Sequence, residues 1–460
     1  MADLKESSLR LTSTDPYNYQ GVGDTLNVNP TIHNDTEELF DNVMNSLIFN
    51  RYPQTAFTGD FFGVTEHTKD ICVAPSKKSH NYLMCSTDPS DAYSTTKDGP
   101  VVFDVMTNKP LHLFTRNPLY PYSSHLYGDS LRKAVTEHYA AAGYYSVVGT
   151  DSDGIVDFVD LKTGKEWTHT LPLQANDKIV DMDGWGPFLA ICKYNGVNNT
   201  RYFQIFNAYT GDNVSAPIDQ IEDGLNRMSD PLNFARKIVM NERYIAVTYS
   251  PSAVGNDGYY GGVNIYRWEY NHKTQLMDIQ FWKHVSSLQT NNYGWGFNIV
   301  MRGSRLMVAM GGPDMTQEKV DIYDVSSDSR LSIPSPFLGG LTNAPDYFGY
   351  DMDCNDNMFV IGCPNHDYQS SKTTRYNIGG VMWGSYAMGR EDPTGSYSGR
   401  TQISATSSLY RGSVAALVGD VLCIGDRLNV NGAGTLTGAI TPIPIRTSAA
   451  DIYIRKYLDR

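Results

Sequence analysis

Two segments of the chain open with the same four residues, Val-Thr-Glu-His, at Val64–His67 and at Val135–His138. A carboxylate beside an imidazole is equipped to move protons. Two such carboxylates facing one another, Glu66 and Glu137, would suit glycoside hydrolysis. Acidic pairs recur at Asp151/Asp153, Asp181/Asp183 and Asp351/Asp353. Asp in short turns caps local N–H groups, so turn chemistry is the expectation for them. The six cysteines, Cys72, Cys85, Cys192, Cys354, Cys363 and Cys423, lack CxxC spacing. Most sit in apolar runs and read as buried, reduced thiols. There is no GxSxG, HExxH or P-loop, and the ten histidines form no pair at metal spacing. Ser152-Asp153-Gly154 lacks the Trp spacing of a sialidase repeat. No enzyme activity and no cofactor are expected.

A second kind of candidate is aromatic. DGYYGG carries Tyr259 and Tyr260, NNYGWGF carries Tyr293 and Trp295, and PLYPYSSHLYG carries Tyr120 and Tyr122. Aromatic faces flanked by amides and glycines suit a sugar or a protein partner, because they give contact area at low entropic cost.

The elements that must position these residues are repeats. A β-run, a short turn and a more apolar β-run recur at 180–192, 238–250, 299–313, 350–364 and 415–426, and two earlier copies begin at Val64 and Val135. A third run follows each copy, centred on Phe103, Val159, Phe206, Tyr266, Tyr323, Trp383 and Tyr453, at intervals of about 58 residues. A fourth, weaker run often follows, as in KPLHLF and KEWTHTL. Seven units of four antiparallel strands predict an all-β, seven-bladed β-propeller, in which stacking buries faces that no blade could bury alone. The 40 glycines and 31 tyrosines are then the turns and strand centres of the blades. Residues 41–460 form the propeller and residues 1–40 an extended N-terminal arm. The chain stops just after the run around Tyr453, so an outer strand is missing there, and Leu47–Tyr52 (LIFNRY) is expected to close the ring. Glu66 and Glu137 then fall on inner strands, where they read as a solvated channel wall.

Several units resemble the FG-GAP-type propeller repeat, with an aromatic-Gly opening, a Gly-Ala-Pro-like turn and a Gly-Val-aromatic third strand. The matching residues are FFG (61–63) with VAP (73–75), GWGF (294–297) with GGP (311–313), and YFGY (347–350) with GCP (362–364). GGVNIY (261–266) and GGVMW (379–383) supply third strands, while the Thr-Gly turns at Thr163-Gly164 and Thr210-Gly211 resemble quinoprotein-like repeats. Integrin-type members of the FG-GAP group bind calcium in acidic hairpins, which the resemblance would place at Asp151/Asp153, Asp181/Asp183 and Asp351/Asp353, although none supplies the full run of ligands of a calcium loop. FG-GAP-like propellers also occur in phage structural proteins.

The balance of 37 basic against 50 acidic residues gives a formal charge of −13, which argues against direct nucleic-acid binding. No apolar stretch is long enough for membrane insertion. Met1–Gln20 carries charge and no apolar leader, so folding in a host cytoplasm is expected. With few charges (19%), a polar arm and this resemblance, the expected role is a structural or attachment component of a virus particle: a phage tail, collar or host-recognition part. Its expected partners are other virion proteins through the arm and a host surface glycan or protein. A cellular or secreted adhesion propeller is the alternative.

Overall fold

The computed structural model describes Phe57–Thr58 and, from Val73 to Pro444, the strands and short turns of seven antiparallel blade sheets, together with a two-stranded hairpin that pairs Tyr368–Gln369 with Thr374–Arg375. Residues 1–56, 59–72 and 445–460 lie outside the described residues, as do the longer connections, among them 87–99, 115–124, 147–153, 220–233, 250–261, 287–294, 311–317, 336–346, 386–410 and 427–438.

Each sheet is one blade. Blade 1 runs from the inner strand Val73–Lys78 through Tyr82–Ser86 and Val101–Asp104 to Lys109–Leu113. The inner strands of blades 2 to 7 are Lys133–Val135, Asp177–Trp185, Phe234–Met240, Trp295–Arg302, Met352–Cys354 and Arg411–Val418. The protein is a seven-bladed, all-β propeller. Third strands carry the expected centres: Phe103, Val159, Phe206, Tyr266, Tyr323 and Trp383 all lie on them.

The core lies between blades, as alternation requires. On the second strand of blade 3, Leu189 and Ile191 pack with Tyr139 and Phe158 of blade 2. Phe188, Ala190 and Cys192 on the opposite face pack with Ile238 and Ile245 of blade 4. Leu83, Cys85 and Phe103 of blade 1 meet Val414, Ala416 and Cys423 of blade 7, so the first and last blades are neighbours. Cys85, Cys192, Cys354, Cys363 and Cys423 are free thiols buried in these layers. Burial pushes Cys85 and Cys354 up to about 12, which keeps them protonated.

The aromatic-Gly openings have a backbone cause. Gly296, Gly349 and Gly412 stand at the entry to inner strands with φ of 91°, 91° and 86°, a region that costs a residue with a Cβ dearly. Register shifts between Trp295 and Asn298 and between Arg411 and Val414 mark the accompanying bulges.

Two expectations about the ends change. The third strand of blade 7 is Ala439–Pro444, paired with Val421–Asp426, and not the run around Tyr453, which lies outside the described residues. The aromatic pattern favoured DIYI, but AITPIP pairs along the whole of Val421–Asp426, and its Ile440 is buried. The outer position of that blade is held by Phe57–Thr58, which pairs with Ala439 and Ile440. Leu47–Tyr52 lies outside the described residues, as does the arm, residues 1–40. Blade 1 is also shifted: its inner and second strands are Val73–Lys78 and Tyr82–Ser86, so VAP (73–75) begins an inner strand and does not end a second one. The identical tetrapeptides had fixed attention on Val64, yet burial of Leu83, Met84 and Cys85 decides which run enters the core.

Candidate functional site

The seven inner strands leave one edge each toward the axis, where N–H groups need partners that no eighth strand supplies. Around that axis lies a cavity of about 660 Å³. Its wall includes Lys77, Lys78, Asp181, Asp183, Lys237 and Arg302, and its rim is made of the hairpin turns that carry His80, Glu137, His138, Trp185 and Glu242.

The repeated tripeptide Asp-Met-Asp organises this wall. In blade 3, Asp181 accepts the backbone N–H of Ile238 (2.8 Å) and Asp183 that of Met240 (2.8 Å), both on the inner strand of blade 4. In blade 6, Asp351 accepts the N–H of Ala415 (3.0 Å) and Asp353 that of Leu417 (2.9 Å), both on the inner strand of blade 7. Each tripeptide thus sews its inner strand to the next through the carboxylates, while the methionine between them points into the core. The expectation of turn chemistry for these four residues is corrected: they lie on or beside inner strands, and alternation aims both carboxylates toward the neighbouring blade.

Cations occupy the second oxygen of each carboxylate. Lys77 sits 3.4 Å from Asp181 and 3.9 Å from Asp183. Its neighbour Lys78 donates to Asp351 (2.9 Å) and to the carbonyl of Met352 (2.6 Å). Ser76 donates to the other oxygen of Asp351. Arg302 of blade 5 donates to Asp353 (3.2 Å) and to the carbonyl of Lys78 (2.9 Å). Consecutive lysines of blade 1 therefore reach two different tripeptides, one on either side of it. Burial pulls the Lys77 ammonium down, but Asp181 and Asp183 outweigh it and hold the lysine above its ordinary value. Burial raises the Asp183 carboxyl, against the pull of Lys77 and the Met240 N–H. Two further lysines stand nearby. Burial pushes Lys133, wholly inaccessible on the inner strand of blade 2, down to about 7, and half-buried Lys237 of blade 4 down to about 8.

Glu137 lies in the inner hairpin turn of blade 2, at the rim and not on an inner strand as expected. It accepts the backbone N–H of His80 and an N–H of the Asn81 side chain (2.8 Å), joining blades 2 and 1. Glu66 lies outside the described residues, so no Glu66–Glu137 pairing is seen. Asn241, in the blade 4 hairpin turn, donates to the carbonyl of Gly303 in blade 5 (2.8 Å), and Asn298, on the inner strand of blade 5, donates to the carbonyl of Tyr350 before the inner strand of blade 6 (3.1 Å). Trp185, 40% exposed at the tip of the blade 3 hairpin, is the aromatic that sequence reasoning passed over at this mouth. Its signal was the Trp-Gly-Pro turn between the first and second β-runs of the repeat at 180–192. Of the aromatic candidates, Trp295 heads the inner strand of blade 5 and its backbone pairs with Met310. Tyr120, Tyr122, Tyr259, Tyr260 and Tyr293 lie outside the described residues, as does the Asp151/Asp153 pair. Among the described residues no group of three or more His, Cys, Asp or Glu is placed to hold a metal ion.

No protein-family model matches this chain, and no curated protein matches it. Solved structures do. The hydrazine synthase of Kuenenia stuttgartiensis is similar at TM-score 0.47 and 10% identity, over 83% of this chain and 98% of that one. The β-propeller domain of the Trilobed protease from Pyrococcus furiosus is similar at TM-score 0.43 and 10% identity, over 81% and 94%. Hsv2 of Kluyveromyces lactis is similar at TM-score 0.40 and 11% identity, over 79% and 96%. Such likeness concerns the arrangement of strands, and no residue of the axial site is carried over from it.

Proposed function

We propose that this chain is a non-enzymatic structural or attachment component of a larger particle, with a virus particle as the setting its composition and FG-GAP-like repeats fit. The single observation that carries this reading is the engagement of the axial carboxylates. A hydrolase needs an acid and a base free to exchange protons with substrate. Here Asp181, Asp183, Asp351 and Asp353 each hold a backbone N–H of the next blade with one oxygen and face a cation with the other. Chemistry of this kind stiffens a ring and suits a scaffold that presents loops to a partner. In this reading residues 1–40 dock the ring onto neighbouring particle proteins, and the connectors with Tyr259, Tyr260, Tyr293, Trp295, Tyr120 and Tyr122 face a protein or glycan on a host surface. Calcium is no part of the proposal, since the described acidic pairs already have partners.

Immunogold electron microscopy on native particles, with antibody raised against the purified chain, tests the reading. Label at one fixed position is expected, and removal of residues 1–40 is expected to abolish incorporation while leaving the melting temperature of the ring unchanged. Unlabelled particles, with the protein recovered only as a free monomer, would overturn it.

A further inference from the structure

The axial wall is not evenly satisfied. Lys78, Arg302 and Ser76 donate to Asp351 and Asp353, whereas Oδ1 of Asp181 is buried at ion-pair distance from Lys77 with no hydrogen bond. On the same wall, the Lys237 ammonium has neither an ion pair nor a hydrogen bond among the described residues. We propose that the axial cavity binds hydrogen phosphate, held by the Lys237 ammonium and donating its own O–H to Asp181.

Three features favour this ligand. The cavity, at about 660 Å³, has the size of a small-molecule site and opens between charged walls. Lys77 and Lys237 line the cavity from different blades, the charge of Lys77 disfavours the Lys237 ammonium, and an anion between them relieves that repulsion. An anion carrying a proton also meets the open acceptor at Asp181, which an acceptor-only ion such as sulfate leaves unmet. The carboxylates that face the site oppose entry of an anion: Asp181 and Asp183 from blade 3, and Asp351 from blade 6. Each of them is matched by a cation, Lys77 for the first two and Lys78 for the third, so Lys237 is the charge left to recruit a ligand. Lys237 loses its proton on the alkaline side of neutrality, so binding declines as the pH is raised from 7 to 9.5.

The site stands apart from what the ring attaches to, so its test uses the full chain with no partner. Melting curves are recorded with inorganic phosphate or sulfate at matched ionic strength, at pH 7. A saturable rise of about 2 °C is expected with phosphate and none with sulfate. Lys237→Met is expected to weaken phosphate at least about tenfold and Lys237→Arg to retain it. Phosphorus NMR of phosphate with the unaltered chain gives a second readout that needs no variant: line broadening at pH 7 that sulfate fails to reverse and that fades at pH 9.5. Equal responses to the two anions, an undiminished phosphate response in Lys237→Met, or unbroadened phosphorus lines would each overturn the proposal.

Discussion

The two Asp-Met-Asp segments are the same tripeptide in the same role, yet their surroundings differ. Around Asp351 and Asp353, every carboxylate oxygen meets a donor, from Ser76, Lys78, Arg302 or the backbone of blade 7. Around Asp181 and Asp183, one lysine serves both carboxylates at 3.4 and 3.9 Å, and the ammonium of a second lysine, Lys237, has no ion pair or hydrogen bond among the described residues. The glycines give a further contrast, between the blade 6–7 interface and the blade 4–5 interface. At the blade 6–7 interface, backbones approach so closely that a Cβ on Gly412 would lie 2.3 Å from the Gly380 carbonyl oxygen. At Gly296, with nearly the same φ, the nearest atom would be 3.6 Å away. A repeated motif therefore fixes which strands are joined, while the neighbours decide whether the joint is closed or leaves room for a ligand.

The largest expected effect breaks the closed joint. Asp351→Ala leaves Lys78 buried without its carboxylate and should cost about 3–5 kcal/mol in urea unfolding. Asp181→Ala, with Asp183 still facing Lys77, should cost about 1–3 kcal/mol. Equal costs would remove the distinction between the two sides.

A smaller effect isolates backbone approach. Gly412→Ala combines positive φ with a collision against backbone and should cost about 2–4 kcal/mol, against about 1–2 kcal/mol for strain alone in Gly296→Ala. Thermal melts of the two variants side by side are the measurement, and a Gly296→Ala chain as unstable as Gly412→Ala would count against a tighter blade 6–7 interface.

The smallest concerns pH. Lys133 and Lys237 have folded values of about 7 and about 8, below the 10.5 of the unfolded chain. Between these limits the unfolded state binds more protons, so their contribution to stability rises with pH, by about 1–3 kcal/mol between pH 7 and 9. Lys133→Met should flatten that rise in urea midpoints. A slope unaffected by the substitution would locate the lysine's environment elsewhere.

Much of the fold was legible because burial imposes a period. The centres at Phe103, Val159, Phe206, Tyr266, Tyr323 and Trp383 sit on third strands because an alternating apolar run fits only there. Blade 1 misled because an identical Val-Thr-Glu-His at Val64 outweighed the plainer apolar run at Tyr82–Ser86, and the core responds to volume rather than to identity. At the far end, Tyr453 looked like a strand centre, whereas AITPIP, with two prolines, looked unlike one. Prolines are tolerated toward the edge of a sheet, and pairing with Phe57–Thr58 stops at Ile440, before Pro442. The axial site was less legible. Lys77 and Asp181, or Lys78 and Asp351, are far apart along the chain, and no local pattern announces that a ring will bring them together. The Asp-Met-Asp repeat itself was visible, but its direction depended on which face of the strand met the next blade.

The clasp between Phe57–Thr58 and Ala439–Ile440 also sets a clock. The two partners are separated by ~380 residues, which a ribosome adds in roughly 20–80 s at ordinary speeds. Throughout that interval the first blade has no seventh blade to lean on, and Leu83, Cys85 and Phe103 face solvent where Val414 and Cys423 will later pack. Nascent chains of this protein therefore carry an open apolar flank until the strands of blade 7 have been made, and the order of manufacture, as much as the finished ring, sets when it is most prone to stick to its neighbours.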